Sequence, residues 1–495
     1  MKTQSSIKVL AKRYVAVALP GLVVAGCVVG PDYKKPDTPV PTEFRSAQIT
    51  PAEAVSFADM PWWSVFNDTT LQSLINEAIA NNHDLQVAVS RIEQARTQVE
   101  QVESEGRPQV GYEGYAVGEK AIVPQRNSFG SVTYGTFAGL LNAAWEFDIW
   151  GRIRRATESA RAKMLAQEDV RRGVILTLVS DVAADYFQLL ELDRELAIAE
   201  DSVRTYRKTL DLFNLRFSSG KDSKLPVERA QAAYDASNAD IQDLKRRIAQ
   251  QENAISILVG SYPRTIARGR PLVDQSTPKT PLGSTTALLQ RRPDILEAEQ
   301  GMISANAEIG VAVANFYPRI GLSTFLGGEG ISLAGMWGSF GVWNLAATLA
   351  GPIYSGGRLE AEYHERQAYW DETVAQYKQT VLVAFRETSD ALVAQHNLGP
   401  QRVSLESQVK ALQSSSNLAL LRYESGRASY FEVLEAQQQL FPAEDTLAQT
   451  QRDQLIAVVN LYKALGGGWN GTAGEPAAPV TPVAGDAKAP ATAGG

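Results

Sequence analysis

"LRYESGRASYFEVLEAQ" (Leu421–Gln437) and "LRFSSGKDSKLPVERAQ" (Leu215–Gln231) share leucine, arginine, an aromatic residue, serine-glycine, a basic residue, serine, valine and alanine-glutamine in the same order, displaced by 206 positions. The displacement recurs elsewhere. "WGRIRRATESARA" (Trp150–Ala162) matches "GGRLEAEYHERQA" (Gly356–Ala368), and "LVG" at Leu258 stands opposite "ALG" at Ala464. "RPQVGYEGYAVG" from Arg107 resembles "YPRIGLSTFLGG" from Tyr317 in pattern. A constant offset over such a distance marks an internal duplication. The chain therefore divides into residues 67–264 and 291–468 as two copies of one unit, joined by a linker at 265–290.

Each copy reads in the same order. A helical stretch of moderate length (about 69–104 and 293–315) precedes two strand-like stretches. A very long helical stretch (about 151–217 and 358–423), the quoted turn and a return helix (about 225–259 and 430–465) follow. At 1.5 Å per residue the long stretches span on the order of 100 Å, far beyond the average helix, and call for sideways packing in a coiled coil or helical tube. In the turn, Gly426 fits a left-handed cap that ends the long helix. Ser429 and Glu432 have the spacing of a capping box for the return helix. Gly220 and Ser223 take those roles in the first copy, with Pro226 in the first helical turn.

The strands carry the membrane question. In "GTFAGLLNAAWEFDI" (Gly135–Ile149), Phe137, Leu141, Ala143, Trp145, Phe147 and Ile149 fall on one face, and Thr136, Asn142, Glu146 and Asp148 on the other. Gly341–Ile353 repeats the parity, with Trp343, Leu345, Ala347, Leu349 and Ile353 against Asn344 and Thr348. Period-two alternation fits an outer-membrane barrel strand and equally a half-buried strand of a soluble sheet. Four strands cannot close a barrel, and hydrocarbon does not tolerate an open edge. If these strands span a membrane, several chains must share one barrel.

The N-terminus is a targeting segment. Lys2, Lys8, Lys12 and Arg13 precede the apolar Val15–Val24, which ends in "VAGC". Residues 1–26 are a signal peptide, and Cys27, the only cysteine, is the candidate for lipid modification. Val28 follows it, where aspartate would mark inner-membrane retention. Residues 27–66 form an extended lipidated segment, and the Ala/Pro/Gly-rich 469–495 cannot build a core. No run of 18 apolar residues follows the signal, so no membrane-spanning helix is expected.

The lipobox, "GPDYKKP", "PWW", "RRPD", "YPRIGLS", "YSGGR" and the twin "LR(F/Y)xSG" turns resemble the TolC/OprM group of outer-membrane efflux proteins, in its NodT-type lipoprotein branch. The likeness covers nearly all of residues 20–468. It implies an α+β membrane protein: a homotrimer with four transmembrane strands per chain closing a twelve-stranded β-barrel, on a long α-helical barrel that crosses the periplasm. It implies a periplasmic adaptor and an inner-membrane pump as partners, with a lipid on Cys27 and no other cofactor. Gly220, Ser223, Gly426 and Ser429 match the adaptor-contact tips. Glu432 and Glu435 match acidic positions that constrict the tunnel, with Tyr423 and Arg427 as candidates for polar links that hold the gate. The pattern departs at Ala428, where gate arginines often stand, and at Leu225 and Pro226, which are apolar. For Glu432 a pure capping role, and for Glu435 a solvated helix face, stay open.

An enzyme is not expected. His83, His364 and His396 lack metal-ligand spacing, and no phosphate loop, nucleophile elbow or dinucleotide fingerprint is present. A net charge of −7 gives no hint of a nucleic-acid partner. The expected function is a passive, gated exit duct for drugs or other small molecules in a tripartite pump of the resistance-nodulation-division type. A duct for another exporter (ATP-driven, major-facilitator or protein secretion) and a periplasmic scaffold remain open.

Overall fold

The computed structural model describes residues 28–41, 44, 57, 65–125, 128–278, 280, 285–333 and 340–467. The signal segment, Cys27, the "PWW" residues and the C-terminal tail lie outside the described residues. In chain order the elements are α1 (Thr69–Asn81), α2 (His83–Ser104), β1 (Gln109–Gln125), β2 (Ser128–Phe147), α3 (Arg152–Ser218) and α4 (Lys224–Leu258). Then come α5 (Leu288–Arg291), α6 (Pro293–Ala314), β3 (Arg319–Gly330), β4 (Phe340–Ala350), α7 (Arg358–Glu424) and α8 (Tyr430–Ala464). The duplication survives folding to the residue. Both α3 and α7 have 67 residues, both α4 and α8 have 35, and each pair is offset by 206.

The chain forms two compact units, and each draws segments from both copies. The first holds residues up to Val40, Asp84–Arg172 and Pro293–Val383. It contains one antiparallel sheet in the order β1-β2-β3-β4. The register aligns Tyr112, Leu141, Leu326 and Trp343 in one row across all four strands. All four are well exposed, Tyr112 by 88% and Trp343 by 71%. Because side chains alternate faces, the adjacent row puts Asn142 and Asn344 on the opposite side. An apolar face open along the whole sheet is what lipid would cover. The parity expected for the second strand of each copy is the one observed, and β1 and β4 are the two edges.

Below the sheet, α6 is buried nearly all round, from Ile295 through Met302 and Ala305 to Ala314. On it Glu308 accepts from Lys163 Nζ at 2.5 Å, Ser159 Oγ at 3.2 Å and Arg366 Nη1 at 2.8 Å. The N-terminal residues lie across this unit as an extended strap. Val29 N–H donates to the Trp150 carbonyl at 3.1 Å, Asp32 accepts from buried Arg155 at 2.8 Å, and Lys35 meets Glu299 at 2.6 Å.

The second unit holds Pro41–His83, Gly173–Arg292 and the chain from Ala384 onward. Asp68 is its main polar node. Its carboxylate caps α1 through Thr70 and Leu71 N–H at 2.9 and 3.2 Å. The same group accepts from the Tyr186 hydroxyl, the Gln275 amide and Arg270 N–H. These donors hold its pKa below the usual carboxylate range against the desolvation that opposes ionisation. Here the hairpins α3/α4 and α7/α8 pack together. Pro400 lies inside α7 and Pro442 inside α8 without ending either helix. The stretch expected as one long unbroken helix is therefore continuous despite a proline.

One segment of α3 is long and apolar enough to cross a membrane, but most of it is buried inside the protein. Its apolarity serves packing: Val182, Tyr186, Phe187 and Leu189 have no measurable exposure. The lipid-facing surface is the sheet. Leu326→Arg is expected to cost about 2–4 kcal/mol at mid-membrane depth. Asn344→Arg, on the opposite face, should cost far less. The yield of folded protein in membrane fractions is the measure, and equal yields would contradict the assignment of faces.

Candidate functional site: the paired hairpin tips

Both turns close alike. Gly220 has φ +73° and Gly426 φ +68°. Gly220 N–H reaches the Phe217 carbonyl and Lys221 N–H the Arg216 carbonyl, at 3.0 and 2.9 Å. In the second copy Gly426 reaches Tyr423 and Arg427 reaches Arg422, at 2.9 and 2.8 Å. This double bond across a left-handed residue is a Schellman cap, and it explains glycine at both positions. No atom would touch a Cβ at either glycine, so conformation alone selects them.

The capping box is not closed by side chains. Ser223 and Ser429 have extended N-cap backbones, but neither side chain makes a cap hydrogen bond. Glu432 N–H instead donates to the Ser429 carbonyl at 3.2 Å. The Glu432 carboxylate turns to Arg422 at 3.6 Å, with its side chain 44% exposed. Glu435 is exposed, and its nearest polar partner is the Gln439 amide at 3.5 Å. Both glutamates line a groove of about 640 Å³ between α7 and α8, together with Ser414, Ser415, Arg422 and Gln439. Arg427 is exposed and gives its carbonyl to Arg422 Nη2 at 3.4 Å.

Tyr423, expected as a candidate polar link between neighbouring hairpins, packs inside its own chain. It is buried between the two hairpins with Phe213 and Tyr430, at ring distances of 5.9 and 6.2 Å. Phe213 meets Tyr430 edge-on at 4.2 Å, and Tyr206 meets Phe441 at 5.6 Å. The Arg216 guanidinium lies 5.3 Å over the Tyr423 ring. The Tyr423 and Tyr430 hydroxyls have no hydrogen-bond partner among the described residues. Burial raises both pKa values, Tyr430 to about 12, so both stay neutral. Within one chain the tips are thus joined by aromatic packing. The glutamates stay free to face the groove.

The sequence reading missed Phe213, Tyr430 and Arg216. For the two rings the signal was the asymmetry between copies, since Phe213 stands opposite Ala419 and Tyr430 opposite Lys224; Arg216, matched by Arg422, gave none. A large ring in one copy fills the space that a small residue leaves in the other. Cys27 lies outside the described residues.

The model of the outer membrane efflux protein family matches residues 74–261 and 285–467. The cation efflux system protein CusC of Escherichia coli K12 is 31% identical over 451 residues, 90% of this chain and 97% of that protein. The toluene efflux pump outer membrane protein TtgI of Pseudomonas putida is 33% identical over 457 residues, 91% of this chain and 97% of that protein. The solved outer-membrane channel OprN superposes with a TM-score of 0.82 at 29% identity, over 90% of this chain and 100% of that one.

Phe213→Ala, which empties the centre of the ring cluster, is expected to cost about 3–5 kcal/mol. It should speed amide exchange at residues 206–214 and 419–437 and leave the sheet unchanged. Protection that is uniform across the chain would contradict the cluster's role.

Proposed function

The chain belongs to the outer membrane efflux protein family, and on that premise we propose how its parts divide the work of an exit duct. It is an outer-membrane channel component of an efflux pump, a passive conduit and not an enzyme, with helices projecting into the periplasm. Three copies share the barrel, because one four-stranded sheet cannot close on itself. The tips around Gly220, Ser223, Gly426 and Ser429 meet a periplasmic adaptor, which links the duct to an inner-membrane pump. The pump supplies the energy and selects among drugs, solvents or cations.

The observation that carries the gate assignment is the groove shared by Glu432 and Glu435 in the second copy. Pro226 and Arg229 occupy those positions in the first. In a trimer each glutamate becomes a ring of three carboxylates, which favours cations and sets the field at the constriction. Arg427, exposed beside this ring, is the residue available for a link to a neighbouring copy.

A lipid on Cys27 fits the strap. Val28 packs against Gly151, directly before α3, and the neighbouring Trp150 ring stacks on Tyr317 at 4.6 Å. Val28, next in sequence to the lipidation candidate, lies beside an aromatic pair of the kind enriched at membrane surfaces.

The purified trimer should conduct in planar bilayers. Joint replacement of Glu432 and Glu435 by glutamine should lower its preference for cations over anions while leaving assembly intact. A trimer that never conducts, even with its adaptor, would sink the duct. An unchanged ion preference would remove the two glutamates from the gate. Cys27→Ser should remove the mass of the acyl chains from the mature protein, and equal masses would exclude lipidation.

A further inference from the structure

The two sides of α6 carry different loads. On one side lies the extended N-terminal strap. Gly30 packs on Gly310, the Asn306 amide donates to the Pro31 carbonyl at 2.9 Å, and Lys35 holds Glu299. On the other side Glu308 and Ala312 line a cavity of about 670 Å³, together with residues of α2 and the first turns of α3 and α7. At 3.6 residues per turn, each of those two stands about 160° round the helix from Gly310. The whole cavity lies within the first unit, and its volume suits a small organic molecule.

Its lining divides by chemistry. Ala95, Val102, Ala160, Val311 and Ala312 supply an apolar floor, and Arg91, Lys163, Arg366, Glu308 and Glu362 supply charge. Hydrogen bonding decides which sign of ligand fits. The Glu308 oxygens already accept from Ser159, Lys163 and Arg366. Those of Glu362 accept from Asn315 at 3.2 Å and Arg358 at 3.3 Å. A cation would have to displace these donors. The cationic side is the reverse. Arg91 on α2 is exposed and makes no hydrogen bond or ion pair with any described residue. Lys163 and Arg366 each spend one donor on Glu308 and keep the rest. Glu308 thus fixes one cation from α3 and one from α7, and Arg91 stands by them from α2.

We propose that this cavity binds an amphipathic organic anion. The acidic group lies on Arg91, Lys163 and Arg366, and the apolar body lies against the alanines and valines. The role of the site, though not its chemistry, rests on the duct reading. A strap that leads to a membrane anchor runs outside the tube, so the opposite side of α6 looks inward. Three copies then set three such sites around the passage below the sheet. Cargo with an acidic group, which a carboxylate ring disfavours, gains a holding site there.

Equilibrium dialysis of the full-length trimer in nanodiscs of neutral lipid tests this, with naphthalenesulfonate as the probe. One sulfonate should bind per chain. Arg91 is exposed and bonds to no described residue, so its replacement leaves the fold intact. Arg91→Gln should weaken binding about tenfold, and Arg91→Glu should abolish it. Neither inorganic sulfate nor neutral naphthalenemethanol should displace the probe at equal concentration, since each offers half of what the site takes. A wild type that binds no sulfonate, or that releases it to either competitor, overturns the site. Binding unchanged in Arg91→Glu does the same. A trimer that conducts but binds no sulfonate keeps the duct and loses the site. One that binds but never conducts keeps the site and loses the duct, so the two readings fail separately.

Discussion

Backbone hydrogen bonding in lipid is the constraint on which the rest of this structure depends. The sheet order leaves the outer rows of N–H and C=O groups on β1 and β4 without a neighbouring strand among the described residues. Water could satisfy them, but hydrocarbon cannot, and each unsatisfied group costs several kcal/mol there. An apolar row running from Tyr112 to Trp343 commits the sheet to hydrocarbon. The edges must then pair between copies. Everything below the sheet inherits that ring symmetry, including helices that need neighbours on both sides to bury their length.

Duplication meets the same demand at lower cost in information. A ring of hairpins needs many similar tips, and one unit used twice supplies two per chain. The copies keep what backbone geometry requires, such as Gly220 and Gly426, and diverge where side chains decide function. Phe213 and Tyr430 show the divergence. Identical copies would place equal rings at equivalent sites and crowd the joint. Large rings opposite Ala419 and Lys224 pack instead. The same divergence leaves Glu432 and Glu435 on one hairpin only.

How far the sequence was legible follows from which forces are local. Strand parity at Leu141 and Trp343 could be read because it has period two. The helix limits could be read because the offset recurs and Schellman glycines punctuate it. The capping box at Ser429 misled because spacing does not fix a serine rotamer, and Glu432 found Arg422 instead. The burial of Tyr423 could not be read, because Phe213, the ring that packs on it, is 210 positions away in sequence. Glu191 and Arg452 are 261 positions apart, and no spacing rule connects them. The apolar stretch of α3 shows the converse: composition alone cannot distinguish lipid from a protein interior.

Along α8 the ties to the rest of its unit change character. At its C-terminal end, buried Arg292 donates to the Ala464 carbonyl at 3.0 Å and also holds Glu387. Breaking that contact would strand a buried charge, which is costly in a protein interior. In the middle the tie is polar, with Arg452 on Glu191 and Gln449 on Glu195. At the N-terminal end the buried contact is aromatic, with both tyrosine hydroxyls unpartnered among the described residues, and the Glu432–Arg422 pair at 3.6 Å lies on its exposed side. Rings can slide past one another at less cost than ion pairs can part. Glu432 and Glu435 therefore stand at the ring-packed end of α8, and the buried charge of Arg292 stands at the opposite end.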